Sequence, residues 1–183
     1  MRRAIAGVLT VTGLAWAASA FAVPRTGVGV MGGFAAHAFE IRPNGGTAIS
    51  GSSSGTSLGL DFQLAYPRQM SFNLILLTST ESPDGNLGST YSEVDHGALA
   101  AQFRYWFDNW FLGAQAGNAY QISSLKAGGS TATGVGLGLG VLGGGELESG
   151  LFFVCQIDAA RVTYGNGNGS FEGVRLQVGQ RFR

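Results

Sequence analysis

The stretch Phe171–Arg183 reads FEGVRLQVGQRFR, and which of its two faces lies inside decides the fold. Val174, Leu176, Val178 and Phe182 occupy the even positions, with Arg175, Gln177 and Arg181 between them. A period of two belongs to a strand, whose successive side chains point to opposite faces; a helix would spread the same arginines around its circumference. In a soluble sheet the apolar face would cover a core. Here the other face carries two arginines and a glutamine beside glycines too small to fill space, so the usual assignment of inside and outside is open to inversion.

The same alternation recurs along the chain. A first strand is expected near Thr26–His37, a second near Thr56–Tyr66 with Leu58, Leu60, Phe62 and Leu64 opposite Asp61 and Gln63, and a third over Met70–Thr80. In the third, Phe72, Leu74 and Leu76 oppose Asn73, although Ile75 and Leu77 make it apolar on both faces. The fourth sets Leu99, Ala101, Phe103, Tyr105 and Phe107 against Gln102 and Arg104. The fifth starts at Trp110 and contains Gln115, the sixth alternates Val135, Leu137, Leu139 and Val141 with glycines, and the seventh covers about Gly150–Tyr164 with Gln156 and Asp158 on one face. Polar stretches at Pro43–Ser57, Glu81–His96 and Ser123–Ser130 read as long loops, and Gly165–Gly169 as a moderate one. Pro67-Arg68-Gln69, Asp108-Asn109 and Gly143–Ser149 read as short turns.

Composition fits such a wall better than a water-exposed globule. The 183 residues include 31 glycines and 12 phenylalanines but only 11 acidic and 11 basic side chains. Arg2 and Arg3, the apolar run Ala4–Ala18 and then Ala20-Phe21-Ala22 match the charged, oily and small-residue parts of a secretory signal. Residues 1–22 are therefore expected to be removed, leaving 23–183 as the mature domain, with slightly more acids than bases and no basic patch for nucleic acid. Beyond the signal no apolar run reaches the ~18 residues a membrane helix needs, so a bilayer could be crossed only by strands. Cys155 stands alone, which rules out an internal disulfide and reads as a small apolar wall residue.

Eight strands joined by alternating long and short connections predict an all-β fold, an eight-stranded antiparallel up-and-down transmembrane β-barrel. With hydrocarbon on the apolar side, the lumen receives Asp61, Gln63, Asn73, Gln102, Arg104, Gln115, Gln156, Asp158, Arg175, Gln177 and Arg181, a set of acids and bases able to neutralise one another. An eight-stranded lumen is only wide enough for side chains, so a plugged barrel is expected. Tyr66, Tyr105, Trp106, Phe107, Trp110 and Phe111 flank the short turns, where an interfacial girdle belongs.

These features together resemble the small outer-membrane barrels typified by the transmembrane domain of OmpA and by OmpX, over essentially the whole mature chain. The resemblance implies a Gram-negative outer-membrane location, contact with outer-membrane lipid and lipopolysaccharide, and a structural or surface-interaction role such as adhesion or envelope integrity, with an unidentified extracellular partner for the loops. Within EGVRLQV, Glu172, Gly173, Leu176 and Val178, with Phe182 in phase, are similar to the signal read by the barrel-assembly machinery. Arg161 and Lys126, near the expected outer rim, are candidates for lipopolysaccharide phosphates.

Enzymatic chemistry has weaker support. Some barrels resembling this one modify lipid A with a histidine, a serine and an acid, and His96 lies near Ser92, Glu93 and Asp95, His37 near Glu40. The His-x-Ser arrangement is absent, because Ala98 and Phe39 stand at the serine positions, and both histidines are expected to be polar rim residues. Two separated histidines and one cysteine give no metal site, and no cofactor is expected: Gly27-x-Gly29-x-x-Gly32 and Gly138-x-Gly140-x-x-Gly143 match the dinucleotide fingerprint as text but open no helix. A small passive channel and a soluble lipocalin-type carrier remain as alternative uses of eight strands.

Overall fold

The computed structural model describes residues 26–182 apart from 67–68, 85–87, 89 and 127–130. The expected signal segment, most of the Pro67-Arg68 turn, Arg183 and the side chain of Tyr66 lie outside the described residues. Eight strands follow one another: β1 (Gly27–Pro43), β2 (Ile49–Tyr66), β3 (Met70–Pro83), β4 (Tyr91–Phe107), β5 (Trp110–Leu125), β6 (Thr131–Glu146), β7 (Leu151–Tyr164) and β8 (Gly167–Phe182). Each pairs antiparallel with its sequence neighbours, and β1 closes on β8 from Val28↔Phe182 to Pro43↔Gly167, which leaves no free edge.

The β4–β5 and β6–β7 connections are short and sit at the end of the barrel marked by Gly27 and Phe182; at the opposite end only the β7–β8 turn is as short. Between β4 and β5 the Phe107↔Trp110 pair leaves two residues for the turn, and Asp108 adopts φ 55°, as a hairpin whose twist matches its strands requires. Between β7 and β6, Gly150 (φ +84°) supplies a left-handed residue, and a side-chain carbon there would meet the Arg181 carbonyl at 2.6 Å.

The strands run longer than the sequence suggested, and the connections at the opposite end are correspondingly shorter. Residues 49–55, 81–83, 91–96 and 123–125 belong to strands, and the expected loop at Gly165–Gly169 reduces to a two-residue turn. Their Ser, Thr and Gly content reads as loop because it lacks apolar alternation. In the barrel each segment finds a ladder partner, such as Ser53↔Pro83 and Asp95↔Ile122, so its backbone hydrogen bonds are made without an apolar face. About ten residues per strand suffice to cross hydrocarbon, and the remainder of these 14- to 18-residue strands forms a polar collar beyond it.

The outer surface carries the oily residues. Leu60, Phe62, Phe103, Leu137, Leu139, Val174, Leu176, Val178 and Phe182 are all exposed, while Asp61, Arg104, Arg175 and Arg181 are at most 3% exposed. On β2 the belt spans Leu58–Leu64, and outward positions then turn to Thr56, Ser54, Ser52 and Ser50. A band of this height, ringing every strand, is what a bilayer requires and water penalises.

Alternation also corrects the expected girdle. Tyr105 and Phe107 face outward, but Trp106 and Phe111 are 1% and 2% exposed and close the lumen near the tight turns, their rings 4.8 Å apart. Trp106 Nε1 donates to Ser71 Oγ at 2.9 Å, which satisfies its one polar atom indoors. Strict period two places residue 106 opposite 105 and 107, and aromatic character alone had concealed it.

Candidate functional site

The inward face of β3 serves as a ruler for the lumen: Ser71 and Asn73, then Ile75 and Leu77, then Ser79 and Glu81. The double-sided apolarity of this strand is thereby explained. Ile75 and Leu77, both fully buried, pack with Met31 and Val154 between two polar networks. A second apolar cluster, including Phe39, Ile41, Tyr91, Val94, Val162, Tyr164 and Phe171, covers the upper network on the collar side.

The network nearer the tight turns is centred on Asp61. Its Oδ2 accepts from Arg104 Nη2 at 2.9 Å and Arg181 Nη2 at 3.0 Å, and its Oδ1 from Asn73 Nδ2 at 2.6 Å. Arg181 Nε reaches Glu146 Oε2 at 2.9 Å, Arg104 Nη2 donates to Gln102 Oε1 at 2.7 Å, and Gln102 continues to Gln115 at 2.8 Å. The guanidinium planes lie over Phe111 and Phe152, at 4.6 and 4.9 Å from the ring centroids. Two arginines thus meet two carboxylates in a site closed to water, the condition under which buried charge is tolerable. Glu146 was assigned by sequence to the Gly143–Ser149 turn; β6 keeps its even, inward phase through it.

The upper network joins six strands, β1 to β4 with β7 and β8. Arg175 Nη1 pairs with Asp158 Oδ2, which also accepts from Gln156, and Gln177 Nε2 donates to Ser57 Oγ at 2.9 Å. Beside them His37 Nδ1 contacts Glu81 Oε1 at 2.6 Å, His37 Nε2 lies 3.4 Å from Asp158 Oδ1, and His96 Nδ1 lies 3.5 Å from Glu81 Oε1. The imidazole centroids lie 4.5 Å apart, with the rings tilted by 35°. Ser53 and Ser79 hydroxyls donate to the two Glu81 oxygens at 2.7 and 2.6 Å.

This geometry corrects the expectation for the histidines. They are neither separated nor on the rim; they are 2% and 0% exposed and share Glu81, which the sequence had placed in a loop. The odd phase of Asn73, Ile75, Leu77 and Ser79 leads directly to Glu81, and following it one step beyond Thr80 would have found the residue. The sequence neighbours Glu40, Ser92 and Glu93 point away: Glu40 pairs with Arg42, and Ser92 Oγ donates to the Ser124 carbonyl. The serines that do reach this cluster give their protons to Glu81, and no serine-to-imidazole hydrogen bond occurs among the described residues. A nucleophile needs the imidazole as its base, so the serine relay is not assembled here.

Gly173 makes the arrangement possible. A side-chain carbon at this position would stand 2.3 Å from both the Ala36 carbonyl oxygen and His37 Cδ2. Gly173→Ala is therefore expected to destabilise the barrel by about 1–3 kcal/mol, as overpacking does. An unchanged urea midpoint for that variant would mean that the His37 ring does not lie against β8.

Of the other expected residues, Gln63 is inside with Asn73 and Arg104. Glu172, Leu176, Val178 and Phe182 project outward. Arg161 is exposed on the outer face of β7, opposite Leu137 and Ser170, at the top of the apolar belt, and Lys126 is exposed just past β5.

No protein-family profile matches the chain, and no curated protein matches it in sequence. Among solved structures it is similar to Ail, the attachment invasion locus protein of Yersinia pestis, with 9% identity, a TM-score of 0.55, and 86% of this chain and 100% of that one covered. Ail in complex with the heparin analogue sucrose octasulfate aligns with a TM-score of 0.57 at 8% identity, over 86% of this chain and 100% of that one. Neisserial surface protein A aligns with a TM-score of 0.55 at 13% identity, over 86% of this chain and 98% of that one. The fold is thus that of the small eight-stranded outer-membrane barrels, and the apolar belt makes it a transmembrane one.

Proposed function

We propose that this protein is a structural element of the outer membrane that acts through the surface it presents outside, and that its lumen conducts and catalyses nothing. The observation that carries this reading is the layering of the lumen: charged residues are held in two internally paired networks, with Ile75, Leu77, Met31 and Val154 between them and an aromatic cluster above. Among the described residues this apolar layer interrupts the polar lining on β1, β3 and β7, and the aromatic cluster stands between the collar and the two histidines. With the tight turns in the periplasm, the collar faces outward and offers the cell its contact surface. Arg161 and Lys126 there are placed to meet lipopolysaccharide phosphates, and β8 presents Glu172, Leu176, Val178 and Phe182 as the assembly machinery would meet them.

The collar is not basic. Glu40, Asp84, Glu93, Asp95 and Glu172 outweigh Arg42, Lys126 and Arg161, so a polysulfated sugar such as the sucrose octasulfate bound to Ail fits this surface poorly. The partner proposed is uncharged or basic. Planar-bilayer recordings of the refolded barrel are expected to give no stepwise conductance, and a steady ionic current would overturn the closed-lumen reading. Lipid A from cells expressing the wild-type protein and from cells lacking it is expected to have the same mass; a difference abolished by His96→Ala would replace this reading with the enzymatic one.

A further inference from the structure

The lumen is not electrically balanced by its fixed charges. Among the described residues Asp61, Glu81, Glu146 and Asp158 share the lumen with Arg104, Arg175 and Arg181, and the surplus acid sits in the upper network, where Arg175 is paired with Asp158 and acts on Glu81 only through space, while the Glu81 oxygens are held by an imidazole and two hydroxyls. Hydrogen-bonding capacity is also unspent at the same place. Both ring nitrogens of the fully buried His96, Nε2 of His37 and Oδ1 of Asp158 have no hydrogen-bond partner. One nitrogen from each imidazole and one oxygen of Glu81 lie within 4.8 Å of one another.

We propose that His37, Glu81 and His96 form a buried site for a borderline divalent cation, of which Zn2+ is the type case. Two imidazoles and one carboxylate are a recognised donor set for that ion, with a fourth position left for a small ligand. The surroundings have the character of a supporting shell. Asp158 lies behind His37 on the far side of its ring, at 3.4 Å from Nε2, and can fix the tautomer that leaves Nδ1 as a ligand. Ser53 and Ser79 orient Glu81 through both of its oxygens. Gly173 gives His37 the space to lie there. Coordination opens the 2.6 Å contact between His37 and Glu81 to ligand-to-ligand distances, and the single proton of the neutral ring then sits on Nε2, facing Asp158. Charge is satisfied as well: the cation exceeds the single surplus acid by one, which a hydroxide or chloride in the fourth position offsets. Such an ion would tie β1, β3 and β4 together across the lumen, and β1 and β4 share no ladder.

The apolar cluster above the site restricts entry, so the ion is loaded during folding. The test is to refold the full barrel in detergent micelles with Zn2+ or Co2+, remove unbound metal with a chelator and gel filtration, and measure the metal retained. The folded wild type is expected to hold one ion per chain, with Co2+ giving the intense visible bands of a four-coordinate nitrogen and oxygen site. His96→Ala removes a ligand that makes no hydrogen bond and is expected to weaken retention by about a hundredfold or more, with its folding checked by the different gel migration of boiled and unboiled samples. Wild-type protein that folds but retains no metal, with ordered water alone completing the cluster, would overturn the proposal. Equal retention by folded His96→Ala would do the same. Should that variant not fold, the Co2+ spectrum of the wild type decides by itself: octahedral, weak bands count against the site.

Discussion

Asp61→Ala is expected to be the most damaging single truncation in the lumen, at about 3–5 kcal/mol. The carboxylate accepts from Arg104 and Arg181 on one oxygen and from Asn73 on the other, and all four residues are at most 3% exposed. Its removal leaves two guanidinium groups in a water-free space with only Glu146 as counter-charge, and Glu146 already holds Arg181 Nε. The cost of two guanidinium groups short of a counter-charge falls on the folded state. A second substitution separates charge from packing. In the pair Asp61→Asn with Arg104→Met one acid and one base disappear together, and a large part of the lost stability is expected to return. Equilibrium unfolding in urea of barrels refolded into lipid vesicles measures both. An Asp61→Ala barrel with the wild-type midpoint would mean that the arginines have another partner and that the lower network is wrongly drawn.

The second large effect lies on the other face. Leu60 sits in the middle of the belt, between Val30 on β1 and Leu76 on β3, and its side chain is 36% exposed. Leu60→Arg is expected to destabilise the membrane-inserted barrel by about 2–4 kcal/mol, because the guanidinium would meet hydrocarbon. Ser50 lies on the same outward face of the same strand but in the collar, and Ser50→Arg is expected to change stability by less than about 0.5 kcal/mol. The contrast matters more than either value. If the two variants unfold at the same urea concentration, the apolar belt is not where the bilayer lies.

Why a lumen of this kind persists is a question of packing as much as of charge. An eight-stranded barrel has room for side chains and little else, and here that room is filled in layers, polar, apolar, polar and aromatic. The apolar layer of Ile75, Leu77, Met31 and Val154 does not face lipid at all. It is an ordinary close-packed core inside a molecule whose outer surface is also apolar, so the two kinds of oily residue differ in what they touch and not in their chemistry.

Much of this was legible in the sequence because a strand's period of two is exact. Once Arg175, Gln177 and Arg181 are in phase, the pleat carries the remaining residues of β8 to one side or the other, and the same holds for Asp61 with Gln63 and for Gln102 with Arg104. Strand number, antiparallel order, the apolar exterior and the polar lumen followed from that local rule together with composition. It misled where another cue was allowed to override it. Trp106 and Phe111 were drawn to the interface by aromatic character against their phase, and Glu81 and Glu146 were lost to loops because Ser, Thr and Gly weaken the apolar signal without ending the strand.

What the sequence could not contain is which inward residues share a level. Register and closure bring His37 of β1, Glu81 of β3 and His96 of β4 to one height, although 44 positions separate the first two and β1 and β4 are never neighbours in the sheet. Local pattern fixes the side of the wall on which a residue stands; only the closed barrel, by setting stagger and diameter, decides what it meets across the lumen. The inside-out character of this protein was therefore written in its alternation, while the pairing of its charges and the clustering of its two histidines arose from the tertiary structure alone.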